Sequence, residues 1–400
     1  MTQDKQHNRP NVPPLRFPEF ADEWKRTSIG ECCSSLEYGM NAAAKEYDGR
    51  NKYIRITDID ETTSKYCNDD VVSPSGELED KYLVRENDIL FARTGASVGK
   101  TYHYDISDGK LYFAGFLIRG NVLSCYNSKF VFYQTQLPRY EKWVKVMSAR
   151  SGQPGINSQE YEGFNLFMPT RFEQDKIESF ISLLDHRIEV QSGLINKLES
   201  LISGITLSIM KSDDCESIRL SELLTERNEV NTAQYEVYSV SVSQGVVNQV
   251  EYLGRSFAAK DTSNYNVVHY GDIVYTKSPT GDFPYGIVKR SNQAKPVAVS
   301  PLYGVYIPAS NDIGCFLHYY FCNAVSTKNY LHKLIQKGAK NTINITNQRF
   351  LENTIKVPNA EKLAIVVKLL NQLSVKKQRA EDLLALYRKQ KQHLLSQMFI

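Results

Sequence analysis

The chain has 400 residues, of which 42% are apolar and 23% charged, with a formal net charge of +3 at neutral pH. This is enough apolar material for two or three domains with sizeable cores, and the mild basic excess permits a nucleic-acid partner through a local patch without demonstrating one. No apolar run approaches the ~18 residues needed to cross a bilayer, which excludes a membrane-spanning role and leaves no membrane partner to expect.

Seven cysteines occur, Cys32, Cys33, Cys67, Cys125, Cys215, Cys315 and Cys322. None has CxxC spacing and no histidine cluster accompanies them, so no metal is expected. The odd count, with no secretory signal, points to the cytoplasm and to mostly buried thiols. Residues 1–14 are polar and proline-rich and read as a flexible tail.

From Leu15 the chain carries short β-type runs, "KYIRITDI", "DILFA", "TYHY", "LYFAGFLI" and "FNLFMP", with a helical stretch over Lys129–Ser148. These define a mixed, strand-rich domain over 15–169. A heptad pattern follows in residues 170–212: Ile177, Ile181, Leu184, Ile188, Ile195, Leu198, Ile202, Ile205 and Ile209, broken only by Gln191. Residues 213–358 repeat the mixed pattern with "EVYSVSV", "DIVYT", "YGIVK", "LYGVYIP" and "NTIKVP", and a helical stretch over Gly314–Gln336. Residues 359–400 carry a second seam, Val366, Leu370, Leu373, Lys377, Ala380, Leu384, Tyr387, Lys391, Leu394 and Met398.

The second half is a copy of the first. Asp88-Ile89 matches Asp272-Ile273, Arg93 matches Lys277, "INSQEYEGFNLFMP" matches "ITNQRFLENTIKVP", and "TSIGECCS" lines up with "IRLSELLT". Units of about 190 residues are far longer than a solenoid repeat, so two similar domains are expected. A helix of ~35 residues is ~50 Å long, more than one small domain covers. The two seams are therefore expected to pair, and antiparallel pairing would give the repeat a pseudo-two-fold axis. The fold class expected is α+β: two strand-rich mixed domains joined by two long helices in an antiparallel coiled coil.

The segment "DILFARTGASVGKT" imitates a phosphate-binding loop. Such a loop needs four residues between its glycines and a helix launched toward the anion. Gly95 and Gly99 are separated by three residues, an aromatic strand follows Lys100, and the second copy loses the Gly-Lys-Thr. A nucleotide-driven hydrolase using Lys100 is therefore disfavoured. What both copies retain is a strand followed by a polar, glycine-containing, basic loop: Arg93, Ser97 and Lys100, then Lys277, Ser278, Thr280 and Lys289. A second loop precedes each Ile-Asn or Ile-Thr segment, with Ser148, Arg150 and Gln153, then Lys337, Lys340 and Asn341. Arg55, Thr57 and Ser241 lie in neighbouring strand-like runs. Arg and Lys suit phosphate contacts, and Arg, Asn, Gln and Ser suit base edges. As a set these residues are the candidate DNA-binding surface.

The stretches "LRFPEFADEW", "DILFARTGASVGK", "SGQPGINSQEYEGFNLFMP" and "EQDKIESFISLLDHRIEVQ" together resemble the specificity subunit of Type I restriction-modification enzymes. In the second copy "NAEKLAIVVKLL" lacks the Glu-Gln of Glu173-Gln174, and "KGAKNTINIT" replaces the Gly-Gln form. The resemblance implies two target-recognition domains that each read half of a bipartite, asymmetric double-stranded DNA site, and a non-catalytic chain. It further implies two modification subunits, which bind S-adenosylmethionine and methylate adenine, and two restriction subunits driven by ATP and Mg2+, with no cofactor on this chain. A coiled-coil adaptor binding only proteins is the competing expectation.

Overall fold

The computed structural model describes residues 11–149, 154–255, 258–337 and 343–400, with Leu253, Gln336, Lys337, Ile343 and Asn344 described as backbone alone. The chain gathers into two compact units, Met1–Val190 with Leu384–Ile400, and Gln191–Leu383. The division cuts through both long helices, so each unit owns a portion of each.

In the first unit a four-stranded antiparallel sheet runs in the order Cys33–Tyr38, Leu117–Val122, Asp88–Ala92, Thr101–His103. The strand Asp88–Ala92 reads as a continuous apolar run because both of its faces are covered. Ile89 and Phe91 face a core shared with the helices Ser128–Gln134 and Pro138–Ser148, while Leu90 and Ala92 face a smaller core with Ile54, Tyr102 and Phe113. This is the period of two that a strand imposes. The single helical stretch expected over Lys129–Ser148 is two helices, because Pro138 at the start of the second cannot continue the first.

The second unit repeats the sheet in the order Leu224–Glu226, Gly304–Pro308, Ile273–Thr276, Ile287–Arg290. Its helices Asn311–Cys322 and Ala324–His332 cover the face that carries Ile273 and Tyr275, and Val274 faces a separate valine-rich core. In both units a short helix, Ile29–Cys32 or Leu220–Leu223, leads into the first sheet strand. The strands Lys25–Ser28 and Cys215–Arg219 pair with Asn165–Met168 and Thr354–Pro358. The copies part company on the opposite face. There Lys52–Ile54 pairs parallel with Leu111–Phe113 in the first unit, whereas Asn266–Val268 pairs antiparallel with Val297–Val299 in the second. The second unit also adds a hairpin, Tyr238–Ser241 with Gly245–Asn248.

The heptad seams form the long helices Arg171–Met210 and Ala360–Met398. In the first unit Ile177 and Ile181 share a core with Leu395 and Met398, and Lys391 Nζ lies 2.7 Å from Asp185 Oδ1. In the second, Ile209 meets Leu363, Val366 and Leu370, Lys377 Nζ lies 2.7 Å from Glu199 Oε1, and Gln191 Nε2 donates to Ala380 O. Early residues of one helix meet late residues of the other, so the pairing is antiparallel. Ile177, Ile181, Leu184, Ile195, Val366, Leu370, Leu373 and Leu384 are buried; Ile188, Leu198, Ile202, Ile205, Tyr387 and Leu394 are half-buried.

The segment from Asn11 to Trp24 and the chain's last residues are tied into the first unit. Leu15 N donates to Gln397 O, and Phe399 stacks on Phe130 and meets Trp24 edge-on. Residues 1–10 of the expected tail lie outside the described residues. Asn11 O already accepts Trp24 N–H and Pro13 is buried, so packing begins ahead of Leu15. The cysteines are all free: three are buried, but Cys125 and Cys322 are exposed, and Cys67 and Cys215 are half-buried. No described helix is long and apolar enough to cross a membrane.

Candidate nucleic-acid interface

The Asp-Ile pair common to both copies has a structural cause. Asp88 Oδ2 accepts Arg85 N–H at 2.7 Å and Asp272 Oδ2 accepts His269 N–H at 2.7 Å, so each carboxylate closes the turn that launches its central strand. Asp88 is further held by Asn121 Nδ2, and Asp272 by the Arg227 guanidinium. Burial pushes the Asp88 carboxyl above its ordinary range, against the pull of Asn121, Arg85 and Arg119. Each central strand then delivers a cation at its end, Arg93 or Lys277.

The structure brings together the two loops that the sequence nominated in the first unit. Gly95 N donates to Pro154 O, Ile156 N donates to Arg93 O, and Thr94 bridges Gly155. The Arg93 guanidinium lies 4.9 Å from the centre of the Tyr38 ring and donates to Gly115 O at 3.3 Å. Both contacts are with uncharged groups, and among the described residues no carboxylate pairs with Arg93.

The rest of the loop is committed inward. Lys100 Nζ pairs with Glu61 at 2.8 Å, and buried Thr101 Oγ1 bonds Thr135 Oγ1. Gly99 has a φ of 85°, and a Cβ there would sit 2.5 Å from Val144 Cγ1. The tight turn between Gly95 and Thr101 therefore serves packing against the helix Pro138–Ser148 and leads into a strand. Neither Lys100 nor Thr101 is placed as a phosphate ligand.

Several candidate residues need correction. Arg55 is held by Asp58 and Asp70 at 2.8 and 3.0 Å, and Thr57 Oγ1 donates to Asp58, so this cluster organises its own loop. Ser148 and Ser241 are buried, the latter bonded to Tyr252 Oη and Ser243 Oγ. Lys289 is only 5% exposed, with its ammonium 3.3 Å from Cys322 Sγ. Burial removes these three from any surface that a duplex could reach. Ser97 is half-buried, Ser278 and Thr280 are exposed, and Lys277 is half-buried, its ammonium pushed down by burial against the opposing charge of Glu226. Arg150, Gln153, Lys340 and Asn341 lie outside the described residues, and Lys337 is described only as backbone in the strand Gln336–Lys337.

Two residues escaped the sequence reading. Phe116 is 58% exposed in the turn entering Leu117–Val122, and Arg93 N donates to its carbonyl. Leu302 is 74% exposed in the corresponding turn before Gly304–Pro308. Each unit thus presents a large apolar side chain at the turn that feeds the partner of its central strand. The signal was a bulky apolar residue beside glycine or proline in "FAGFLI" and "SPLYG". Among the described residues no group of three His, Cys, Asp or Glu side chains could hold a metal ion.

The Type I restriction modification DNA specificity domain matches residues 21–200. In fold the chain is similar to the S subunit of a Type I restriction-modification system from M. genitalium, with a TM-score of 0.60 and 14% identity, over 97% of this chain and 99% of that one. It is likewise similar to a chain from a structure of complex assembly and conformational transition in the type I R-M system, with a TM-score of 0.50 and 13% identity, over 96% and 99%. Residues 21–200 thus match a Type I restriction modification DNA specificity domain, and the duplicated fold of the whole chain is similar to that of an S subunit.

Proposed function

We propose that each unit reads one half of a bipartite, asymmetric duplex site, and that the paired helices set the spacer between the halves. The observation that carries this reading is the repeat itself: the same four-stranded sheet twice, each central strand ending in a cation, Arg93 or Lys277. Arg93 and Lys277 are suited to phosphate or guanine edges, and Phe116 and Leu302 to a thymine methyl or an opened base step. Divergence between the units on the opposite face, parallel pairing in one and a hairpin in the other, supports different half-sites.

A helix of 40 residues is about 60 Å long, and half-sites one duplex turn apart lie ~34–36 Å from each other. The helix pair is therefore long enough to act as a ruler. It also keeps apolar side chains exposed away from its seam, Leu183, Val190 and Leu201 on one helix and Ile365, Val375 and Leu386 on the other. Such stripes favour protein partners. In this reading two modification subunits dock there, bringing S-adenosylmethionine, and two restriction subunits join with ATP and Mg2+.

The test is to map adenine methylation on DNA modified by the assembled complex. A two-part motif is expected, and one heptad inserted into each helix should change its spacer while both half-sites stay the same. Altered half-sites with an unchanged spacer would refute the ruler. Absence of any two-part motif would return the chain to a protein-only adaptor.

A further inference from the structure

In the second unit a buried lysine points at a surface thiol. Lys289 is 95% removed from solvent by the measure of its 5% exposure, and its Nζ lies 3.3 Å from Cys322 Sγ. Among the described residues no carboxylate lies within ion-pair distance of that ammonium. A buried ammonium without a counter-charge is strongly disfavoured, and the sulfur is the group placed to supply one. His318, one helical turn before Cys322, completes the cluster with Nε2 3.6 Å from Sγ. Arg290 N–H donates to His318 Nδ1 at 3.3 Å, which leaves Nε2 to carry the ring proton and direct it toward the sulfur. Other charged or titratable groups near this corner are the Arg290 guanidinium, committed to Asn292 and Asn311, Tyr319, whose hydroxyl donates to Asn371, and the buried Cys315 thiol. Cys322 ends the helix Asn311–Cys322, where the backbone dipole opposes a thiolate, so Lys289 and His318 must overcome that as well.

We propose that Cys322 is a thiolate at neutral pH and a site of covalent modification by small disulfides. In the step, Cys322 Sγ attacks one sulfur of the disulfide R–S–S–R, and a new S–S bond forms as the old one breaks. The electron pair leaves on R–S⁻, which takes its proton from solvent. The co-reactant is a low-molecular-weight disulfide, preferably anionic because Lys289 stands beside the sulfur. Partial desolvation of the sulfur alone would raise the thiol, yet His318 and Lys289 bring it down to about 6. None of this depends on how the chain reads DNA.

The experiment uses the full chain and a nitrobenzoate disulfide that releases a coloured thiolate, with the modified cysteine identified by mass spectrometry. An ordinary thiol of pKa near 8.5 is ~0.1% ionised at about pH 5.5. Cys322 would be about a quarter ionised there, and after the lower intrinsic nucleophilicity of a weaker base it should still react ~20-fold faster. Its rate should level off above about pH 7, whereas an ordinary thiol's rate goes on rising through about pH 9. Cys322→Ser should abolish the fast phase, and Lys289→Met should slow it and move its midpoint upward. A fast phase that survives Cys322→Ser overturns the proposal. So does a wild-type midpoint for Cys322 in the ordinary thiol range, a result that needs no variant to fold.

Discussion

Removing one carboxylate should unfasten the start of the chain from the central helix. Glu173 Oε1 accepts Arg16 Nε at 2.7 Å and Trp24 Nε1 at 3.2 Å, and its Oε2 accepts Arg16 Nη2 at 2.7 Å. Glu173 is 1% exposed and the Arg16 side chain 12%, so neither charge is well solvated. Glu173→Ala leaves the guanidinium with Asp22 O alone and the indole N–H with nothing. Breaking a buried pair from one side costs about 3–5 kcal/mol. The only tryptophans, Trp24 and Trp143, both belong to the first unit, so their fluorescence follows that unit without contribution from the other. With a urea dependence of about 2 kcal/mol per molar, the unfolding midpoint should fall by roughly 1.5–2.5 M. Adding Arg16→Met to Glu173→Ala should recover a large part of the loss, because the orphaned charge goes with it. A fall below about 1 kcal/mol, the level of an exposed ion pair, or no recovery in the double variant, would refute the reasoning.

Other perturbations have outcomes as definite. Gly99→Ala combines a left-handed backbone with a clash against Val144, and should destabilise the first unit by about 2–4 kcal/mol in the same fluorescence assay. His103, pushed down to about 4 by burial and by Lys129, binds its proton less readily folded than unfolded. Its contribution is present above the unfolded value near 6.5 and is lost as pH falls through 4. Stability should therefore drop by about 1 kcal/mol per pH unit across that window, and His103→Gln should flatten the slope. Arg93→Ala and Lys277→Ala in the assembled complex should each lower the salt dependence of DNA binding by about one counterion, while Phe116→Ala should change sequence preference with the salt slope intact; filter binding across a salt series separates the two.

The sequence disclosed whatever was periodic. The seam from Ile177 to Ile209 was legible because a helix returns every seventh residue to one face, and Asp88–Ala92 was legible because a strand covered on both sides is apolar without a break. The break at Pro138 was equally local and open to reading. Lys289 was not legible: its burial depends on a thiol and an imidazole supplied by a helix some thirty residues further on. Arg55 and Lys100 misled in part for a similar reason, since Asp70 and Glu61 reach them only through the folded loop, whereas Asp58, three residues after Arg55, was open to a local reading. Phe116 hid inside "LYFAGFLI", where Gly115 permits a turn in what reads as one strand.

The polar residues inside the helical seam give the pairing a single register. Lys377 and Lys391 stand two heptads apart, as do Asp185 and Glu199, and each lysine meets its acid only when the helices run antiparallel at this alignment. A slip of one heptad either way places Lys377 opposite Ser192 or buried Thr206, and its half-buried ammonium loses Glu199 and keeps only the longer contact with Glu381 of its own helix. An all-leucine seam would tolerate such slips with little change in buried area. For a helix pair proposed to measure a distance on DNA, a slip of seven residues displaces the ends by about 10 Å, or some three base pairs at ~3.4 Å each. The energetic weakness of two lysines in the seam is thus the feature that makes its length well defined.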